Sequence, residues 1–132
     1  MIFLDTSALY ALADRGDGNH RRAVGLFEAA LGTGHTLLTH NYILVESMAL
    51  LQHRLGLASA LRLAEDAAAF EVEWISSVMH DKAVSWLRKS GRRQVSLVDA
   101  ISFAVMQARG VVMAFAFDPH FTEQGFRLFE GT

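Results

Sequence analysis

The chain of 132 residues contains no cysteine and only one proline, Pro119. Without cysteine, disulfide bonds and thiolate chemistry are excluded. No apolar run approaches the roughly 18 residues that a membrane-spanning helix needs. The N-terminus also lacks the basic segment and long apolar stretch of a signal peptide. We therefore expect a protein that lies outside the membrane, in the reducing cytoplasm.

A strong positive charge is also missing, since the net charge is −2. No overall basic field therefore announces nucleic-acid binding. Of the twelve cationic side chains only Lys82 and Lys89 are lysines, which leaves ten arginines. Arginine binds phosphate through two parallel hydrogen bonds, which lysine cannot do. An RNA-binding function is thus neither indicated nor excluded by the charge.

Short apolar runs alternate with amphipathic segments along almost the whole chain. Strands are predicted at 2–4, 36–39, 72–75 and 111–117, with a short fifth at 126–129. Helices are predicted at 6–14, 19–31, 41–53, 77–90 and 97–109. Another helix follows Gly56, with Leu57, Leu61, Ala64 and Ala68 on its apolar face. The alternation predicts an α/β fold with a parallel sheet covered on both faces, in a single domain over residues 1–132.

Two of the predicted strands run directly into an aspartate. Asp5 follows the strand at 2–4, and Asp118 follows the strand at 111–117. The carboxyl ends of parallel strands form one edge of the sheet, where ligands bind. We therefore expect both carboxylates at that edge, although each could simply cap the helix that follows it.

Asp99 and Glu46 extend this acidic set. Asp99 fits the third helical position of a capping box that begins at Ser96. Taken singly, capping is the favoured interpretation of all three aspartates. Glu46 lies in the middle of a helix beside Tyr42 and Leu50, and we expect it on an apolar face, where an unpaired carboxylate is costly. A salt bridge to an arginine would explain it, but metal binding is favoured.

The four carboxylates make more sense as one group. Packed together they would repel one another, and a divalent cation would relieve that repulsion. Mg²⁺ and Mn²⁺ prefer oxygen ligands and bind through a few carboxylates plus water. Such a site can activate a water for phosphodiester hydrolysis.

Four segments follow one another along the chain: MIFLDTSALYALAD at the start, NYILVES in the middle, SLVDAISFAVM, and AFAFDPHF near the end. Together they resemble the PIN-domain ribonucleases, and within them the VapC toxins of bacterial and archaeal toxin–antitoxin pairs. The resemblance implies a three-layer α/β/α fold with a central parallel sheet of four or five strands. It implies an acidic quartet of Asp5, Glu46, Asp99 and Asp118, with Thr6 and Asn41 as supporting polar residues.

By resemblance the activity is metal-dependent hydrolysis of RNA. We expect Asp5 and Asp99 to hold the principal Mg²⁺ or Mn²⁺, with Asp118 supporting a second or transient ion. Glu46 would position or deprotonate the attacking water. The resemblance further implies a cognate antitoxin, a homodimer, and an antitoxin groove made by the leucine-rich helices from Tyr42 to Leu63.

The remaining polar and aromatic residues have plainer interpretations. Arg88, Arg92 and Arg93 are candidates for an RNA phosphate track, although a solvated helix end is slightly favoured. Arg15 is equally compatible with RNA contact and with surface charge. His120, beside Asp118, is interpreted as local structure rather than as a ligand. Trp74 and Trp86 are interpreted as core or interface residues.

Two other functional classes can be weighed against a nuclease. Phosphatases and phosphotransfer domains also place an aspartate after the first strand. They need a second aspartate where Ser7 stands, or a lysine late in the chain, and both lysines precede Asp99. The other alternative is a catalytically silent PIN-fold module that binds RNA or protein, and the complete set of four acids argues against it.

Overall fold

A five-stranded parallel sheet forms the centre of the computed structural model, which describes residues 1–132. The strand order is β3-β2-β1-β4-β5, and every neighbouring pair is parallel. The strands are β1 (Ile2–Leu4), β2 (Leu37–His40), β3 (Glu71–Glu73), β4 (Met113–Phe115) and β5 (Arg127–Leu128). Strands β1 and β2 are buried at every position, as the uninterrupted apolar runs predict.

Seven helices connect and flank these strands. They are α1 (Thr6–Ala13), α2 (His20–Gly32), α3 (Asn41–Leu55), α4 (Leu57–Asp66), α5 (Ser77–Ser90), α6 (Leu97–Arg109) and α7 (His120–Glu123). A short 3₁₀ turn at Ala67–Ala69 follows α4. The predicted α/β fold with a parallel sheet is confirmed. No helix is both long enough and apolar enough to cross a membrane.

The strand order places a topological switch point between β1 and β4. From β1 the chain moves outward through β2 to β3, and then returns to β4 on the other side of β1. Connections leave in opposite directions from neighbouring strands at such a point, which opens a crevice at their carboxyl ends. Asp5 lies directly at this crevice, and its backbone N–H donates to the carbonyl of Phe115 at the end of β4.

Two details of the sequence analysis are wrong. The fourth strand is shorter than the predicted 111–117, because β4 is hydrogen-bonded only over Met113–Phe115, opposite the short strands β1 and β5. The apolar face assigned to α4 is also misplaced. Leu57 and Leu61 are exposed, and the helix buries Ala60 and Leu63 instead.

Candidate active site at the switch point

Asp5 is the most deeply buried carboxylate of the site. It N-caps α1, with Oδ2 accepting hydrogen bonds from the Ser7 backbone N–H at 3.1 Å and from Ser7 Oγ at 2.6 Å. The same Ser7 Oγ accepts from the Phe117 backbone N–H at 2.9 Å. Ser7 therefore ties the start of α1 to the segment that leads from β4 to Asp118.

Burial raises the pKa of Asp5 from an ordinary value of 3.8 to about 6. Desolvation is the largest cause, because a charged carboxylate loses its hydration here. The hydrogen bonds from Ser7 oppose this shift, while the negative charges of Asp99 and Asp118 add to it. An ionised Asp5 at neutral pH therefore occupies an unfavourable environment, which a nearby cation would improve.

Asp99 is brought to the crevice by the N-terminus of α6. The predicted capping box is present: Ser96 Oγ accepts from the Asp99 N–H, and Asp99 Oδ2 accepts from the Ser96 N–H, each at 3.1 Å. This reciprocal pair fixes the carboxylate at the first turn of the helix. Asp99 is 8% exposed, so its side chain faces the protein and not bulk solvent.

Asp118 lies beyond the end of β4 and meets Asp99 through a histidine. Its Oδ1 accepts from the His120 backbone N–H at 2.8 Å in a local turn, but the N-cap of α7 is Pro119, so the expectation that Asp118 caps this helix is wrong. His120 Nδ1 lies 3.0 Å from Asp118 Oδ1 and 3.2 Å from Asp99 Oδ2. Ligand atoms of these three residues all lie within 4.8 Å of one another.

The donor set fits a hard divalent cation. It is rich in carboxylate oxygen, as Mg²⁺ and Mn²⁺ require. In addition, Thr6 Oγ1, next to Asp5 in the chain, is shielded from solvent and has no hydrogen-bond partner in the protein. Buried hydroxyl groups are nearly always satisfied, so a water or an ion would be a natural partner for this atom, as for the buried Ser47 hydroxyl of α3, which also lacks one.

Glu46 does not share this environment. It is exposed and takes part in no hydrogen bond or ion pair, whereas Asp5 and Asp99 are buried and Asp118 is partly buried. The expectation that Glu46 lies on a buried apolar face is therefore wrong, and so is the argument that desolvation demands a partner for it. The buried positions of α3 are Ile43, Ser47 and Leu51.

Asn41 anchors the start of α3. Its Oδ1 accepts from the Ile75 backbone N–H at 2.7 Å, which joins the start of α3 to the segment after β3. A neighbour, His40, is fully buried and N-caps the same helix by accepting from the Ile43 N–H at 3.3 Å. No local sequence pattern marks His40 as a residue that positions the site.

His40 also connects α3 to the helix that carries Asp99. Its Nε2 lies 2.9 Å from Ser102 Oγ, and that hydroxyl donates to the Val98 carbonyl. His40 must therefore be neutral, with the proton on Nε2, and burial lowers its pKa to about 3. The network fixes the relative positions of α3 and α6 through buried hydrogen bonds.

The candidate phosphate-binding residues occupy two separate places. Arg88, Arg92 and Arg93 are exposed at the end of α5 and in the loop before α6. Arg92 pairs with Glu123 at 2.7 Å, on the same short helix as His120, so this loop lies beside the acidic group. Arg15 lies past the far end of α1, which carries the chain about 12 Å away from Asp5.

Arg15 instead borders an open groove of about 830 Å³. The floor of the groove is apolar and includes Leu9, Phe27 and Phe70. Its edge carries Arg62 and Asp66 of α4. The groove lies between α1, α2 and the α4 region, and α3 contributes no residue to it. Of the helices from Tyr42 to Leu63, only α4 lines this cavity, and their function as the antitoxin groove stays a prediction.

The two tryptophans lie in different environments. Trp74 is 76% exposed, so an assignment to the core is wrong and only a surface or interface position fits. Trp86 is partly buried and packs edge-to-face on Phe103, with ring centroids 6.1 Å apart. Asp81 is exposed.

Comparison with known proteins identifies the family. The family model described as PIN domain matches residues 2–127. The chain is 37% identical over 131 residues to the "23S rRNA-specific endonuclease VapC20" of two Mycobacterium tuberculosis strains, covering 96% of this chain and 95% of the relative. The crystal structure of M. tuberculosis VapC20, described as a sarcin–ricin loop cleaving toxin, superimposes with a TM-score of 0.85 at 33% identity, covering 96% of each chain.

The chain belongs to the PIN-domain family. Its fold is the three-layer α/β/α arrangement expected from the resemblance. Asp5 and Asp118 follow strands β1 and β4, and Asp99 lies in the first turn of α6. Within the family it is a VapC-like endoribonuclease of the toxin type.

Proposed function

We propose that this endoribonuclease depends on Mg²⁺ or Mn²⁺ held by Asp5, Asp99 and Asp118. The observation that carries the proposal is the closeness of Asp99 and Asp118, whose ligand atoms lie within 4.8 Å of each other, together with the buried Asp5, whose pKa burial and their charges raise to about 6. A bound divalent cation would compensate this charge and supply an activated water for hydrolysis of a phosphodiester bond. Thr6 Oγ1, unpaired within the protein, would contact the ion or one of its waters.

Glu46 is proposed to act on the attacking water. Its exposure leaves the carboxylate accessible to water and to substrate, which a buried ligand would not be. Asn41 acts at a distance by fixing the first turn of the helix that carries Glu46. In this assignment three aspartates hold the ion, while Glu46 is supplied from the neighbouring helix.

The proposed substrate is a loop of large-subunit ribosomal RNA of the sarcin–ricin type, by analogy with the relative. Arg92 and Arg93 would contact its phosphates, since the salt bridge to Glu123 holds their loop beside the acidic group. Arg88 would extend this surface along the end of α5. Arg15, remote from the site, is a weaker candidate for RNA contact than the other three.

The proposed protein partners are a cognate antitoxin and a second copy of the chain. The groove beside α1, α2 and α4 has an apolar floor and charged edges, which suit an amphipathic helix of an antitoxin. Exposed apolar side chains on the outer faces of α3 and α4 offer a surface for a homodimer. They include Val45, Leu55, Leu57 and Leu61. Light scattering on the isolated protein would measure the dimer directly.

Thermal unfolding with and without millimolar Mn²⁺ tests the metal site without knowledge of the RNA. A ligand at about 100 times its dissociation constant should add roughly 2.7 kcal/mol to the free energy of unfolding. The wild type should show this gain, and Asp99→Asn should lose it. A stabilisation of equal size in both proteins would place the ion elsewhere.

Cleavage of a synthetic sarcin–ricin loop RNA then tests the substrate. The wild type should cut it in Mn²⁺ or Mg²⁺, and both Asp5→Asn and Asp99→Asn should be inactive while remaining folded. A catalytically silent binding module is the alternative, and it predicts RNA binding without cleavage by any of these proteins.

A further inference from the structure

We propose that His120 is a direct ligand of the divalent cation, through Nδ1. The inference rests on the proposed metal-dependent function and adds a nitrogen atom to its all-oxygen site. It concerns a residue that the sequence favours as local structure, because only the tertiary fold brings its ring to Asp99, which is 21 residues away in the chain.

The distances around Nδ1 match those between neighbouring ligands of one ion. Ligands at about 2.1 Å from an octahedral cation are about 3.0 Å apart when they occupy adjacent corners. Nδ1 lies 3.0 Å from Asp118 Oδ1 and 3.2 Å from Asp99 Oδ2. Each of these oxygens also accepts one backbone N–H, yet an ionised carboxylate has about four acceptor positions in total. The three atoms can therefore bind one cation with little rearrangement.

The ring is also held in place by its surroundings. The next residue, Phe121, is fully buried and contacts Phe3 of β1 and Phe103 of α6, with ring centroids 6.0 and 5.4 Å away. These are the two elements that present Asp5 and Asp99. A donor carried on such a fixed short helix meets the requirement that ligands be positioned before the ion arrives.

A hydrogen-bonding bridge from His120 to the two carboxylates would give the same distances, but it differs from metal ligation in the protonation of Nδ1. A histidine that only bridges two carboxylates donates a proton from Nδ1, whereas a metal ligand uses the Nδ1 lone pair. A nitrogen ligand also favours Mn²⁺ over Mg²⁺, because Mg²⁺ prefers oxygen more strongly. Ligation therefore predicts a preference for Mn²⁺ that depends on His120, and bridging does not.

Electron spin-echo spectroscopy of the full-length protein with Mn²⁺ alone tests the inference. Protein labelled with ¹⁵N-histidine should show nitrogen coupling to the bound ion, and His120→Ala should lose it. The exposed His53 provides the matched control, because His53→Ala should keep the coupling. His120→Asn retains an oxygen close to the Nδ1 position, so it should bind Mg²⁺ like the wild type but lose the preference for Mn²⁺.

Calorimetric titration supplies the second readout. Removal of His120 should weaken Mn²⁺ binding by about tenfold or more, because loss of a mere hydrogen-bond partner of a ligand already costs about that much and a direct ligand contributes more. If Mn²⁺ binds, requires Asp99 and shows no histidine coupling, the inference fails while the proposed function stands. If the wild type binds no Mn²⁺ at all, both fail.

Discussion

Replacement of Asp5 by asparagine should stabilise the metal-free protein at neutral pH, even though it should abolish activity. The ionised carboxylate is buried and lies near the charges of Asp99 and Asp118, so charging it in the folded state is unfavourable. Asparagine removes that charge and keeps nearly the same shape. It is also a good N-cap, so the hydrogen bonds from Ser7 to the side-chain oxygen can be retained.

The size of the gain follows from the pKa. Raising the pKa of Asp5 from 3.8 to about 6 corresponds to about 3 kcal/mol in the free energy of unfolding. Above pH 6 the carboxylate is charged in both states, and the folded state carries the whole cost. As the pH falls through 6 the folded state binds a proton before the unfolded state does. Below pH 3.8 both states are protonated and the cost is gone.

Urea unfolding in the presence of a chelator measures the free energy of unfolding with Asp5 charged, at pH 7, and with Asp5 protonated in the folded state, at pH 4. Asp5→Asn should be more stable than the wild type by about 2–3 kcal/mol at pH 7 and by little at pH 4. That gain corresponds to a rise in melting temperature of roughly 6–12 °C for a chain of this size. Asp81→Asn on the exposed face of α5 is the control and should change stability by less than about 0.5 kcal/mol.

Two outcomes would refute this reasoning. If Asp5→Asn were less stable at pH 7, the capping bonds of the carboxylate would outweigh its desolvation. An equal gain at both pH values would mean that the effect does not come from ionisation. Saturating Mn²⁺ should reverse the order of the two proteins, because only the wild type gains the binding free energy.

Three further predictions concern neighbouring residues. Asp99→Asn should abolish RNA cleavage and leave the fold intact by circular dichroism, and full activity would remove Asp99 from the metal site. Ser7→Ala should lower the free energy of unfolding by about 1–3 kcal/mol in urea, because it leaves the Phe117 N–H unpaired, and a change near zero would show that this N–H finds another partner. The double variant Arg92→Ala with Arg93→Ala should reduce the salt dependence of RNA binding by about 1.4 in logarithmic slope, and an unchanged slope would make both arginines plain surface charges.

Much of the fold could be predicted because the local signals are strong. Both Ser77–Ser90 and Leu97–Arg109 are bounded as predicted, since serine caps and a following glycine mark each helix. The position of Asp5 and Asp118 at one edge of the sheet follows from parallel strands alone. The predicted fourth strand is too long because apolar residues indicate burial, whereas a strand also needs hydrogen-bonded neighbouring strands. Strands β1 and β5 pair with β4 only over Met113–Phe115.

The rest depends on contacts between distant parts of the chain. Helices α3 and α4 contain more apolar residues than one buried face needs, so periodicity alone did not show that Glu46 and Leu61 face outward. The bond between His40 and Ser102 joins residues 62 positions apart, and no local pattern marks either one. The Asp-Pro-His sequence shows that His120 lies near Asp118. The closeness of His120 to Asp99 depends on the position of α6 in the fold, which the sequence does not show.

Local hydrogen bonding and metal binding looked like competing explanations for the three aspartates, and the structure makes them compatible. Each carboxylate accepts a backbone N–H within three residues: from Ser7 to Asp5, from Ser96 to Asp99, and from His120 to Asp118. Those bonds use only part of the acceptor capacity of an ionised carboxylate. They also fix the direction in which the remaining lone pairs point. These local hydrogen bonds would therefore preorganise the proposed metal site, so that the aspartates would need little reordering on cation binding.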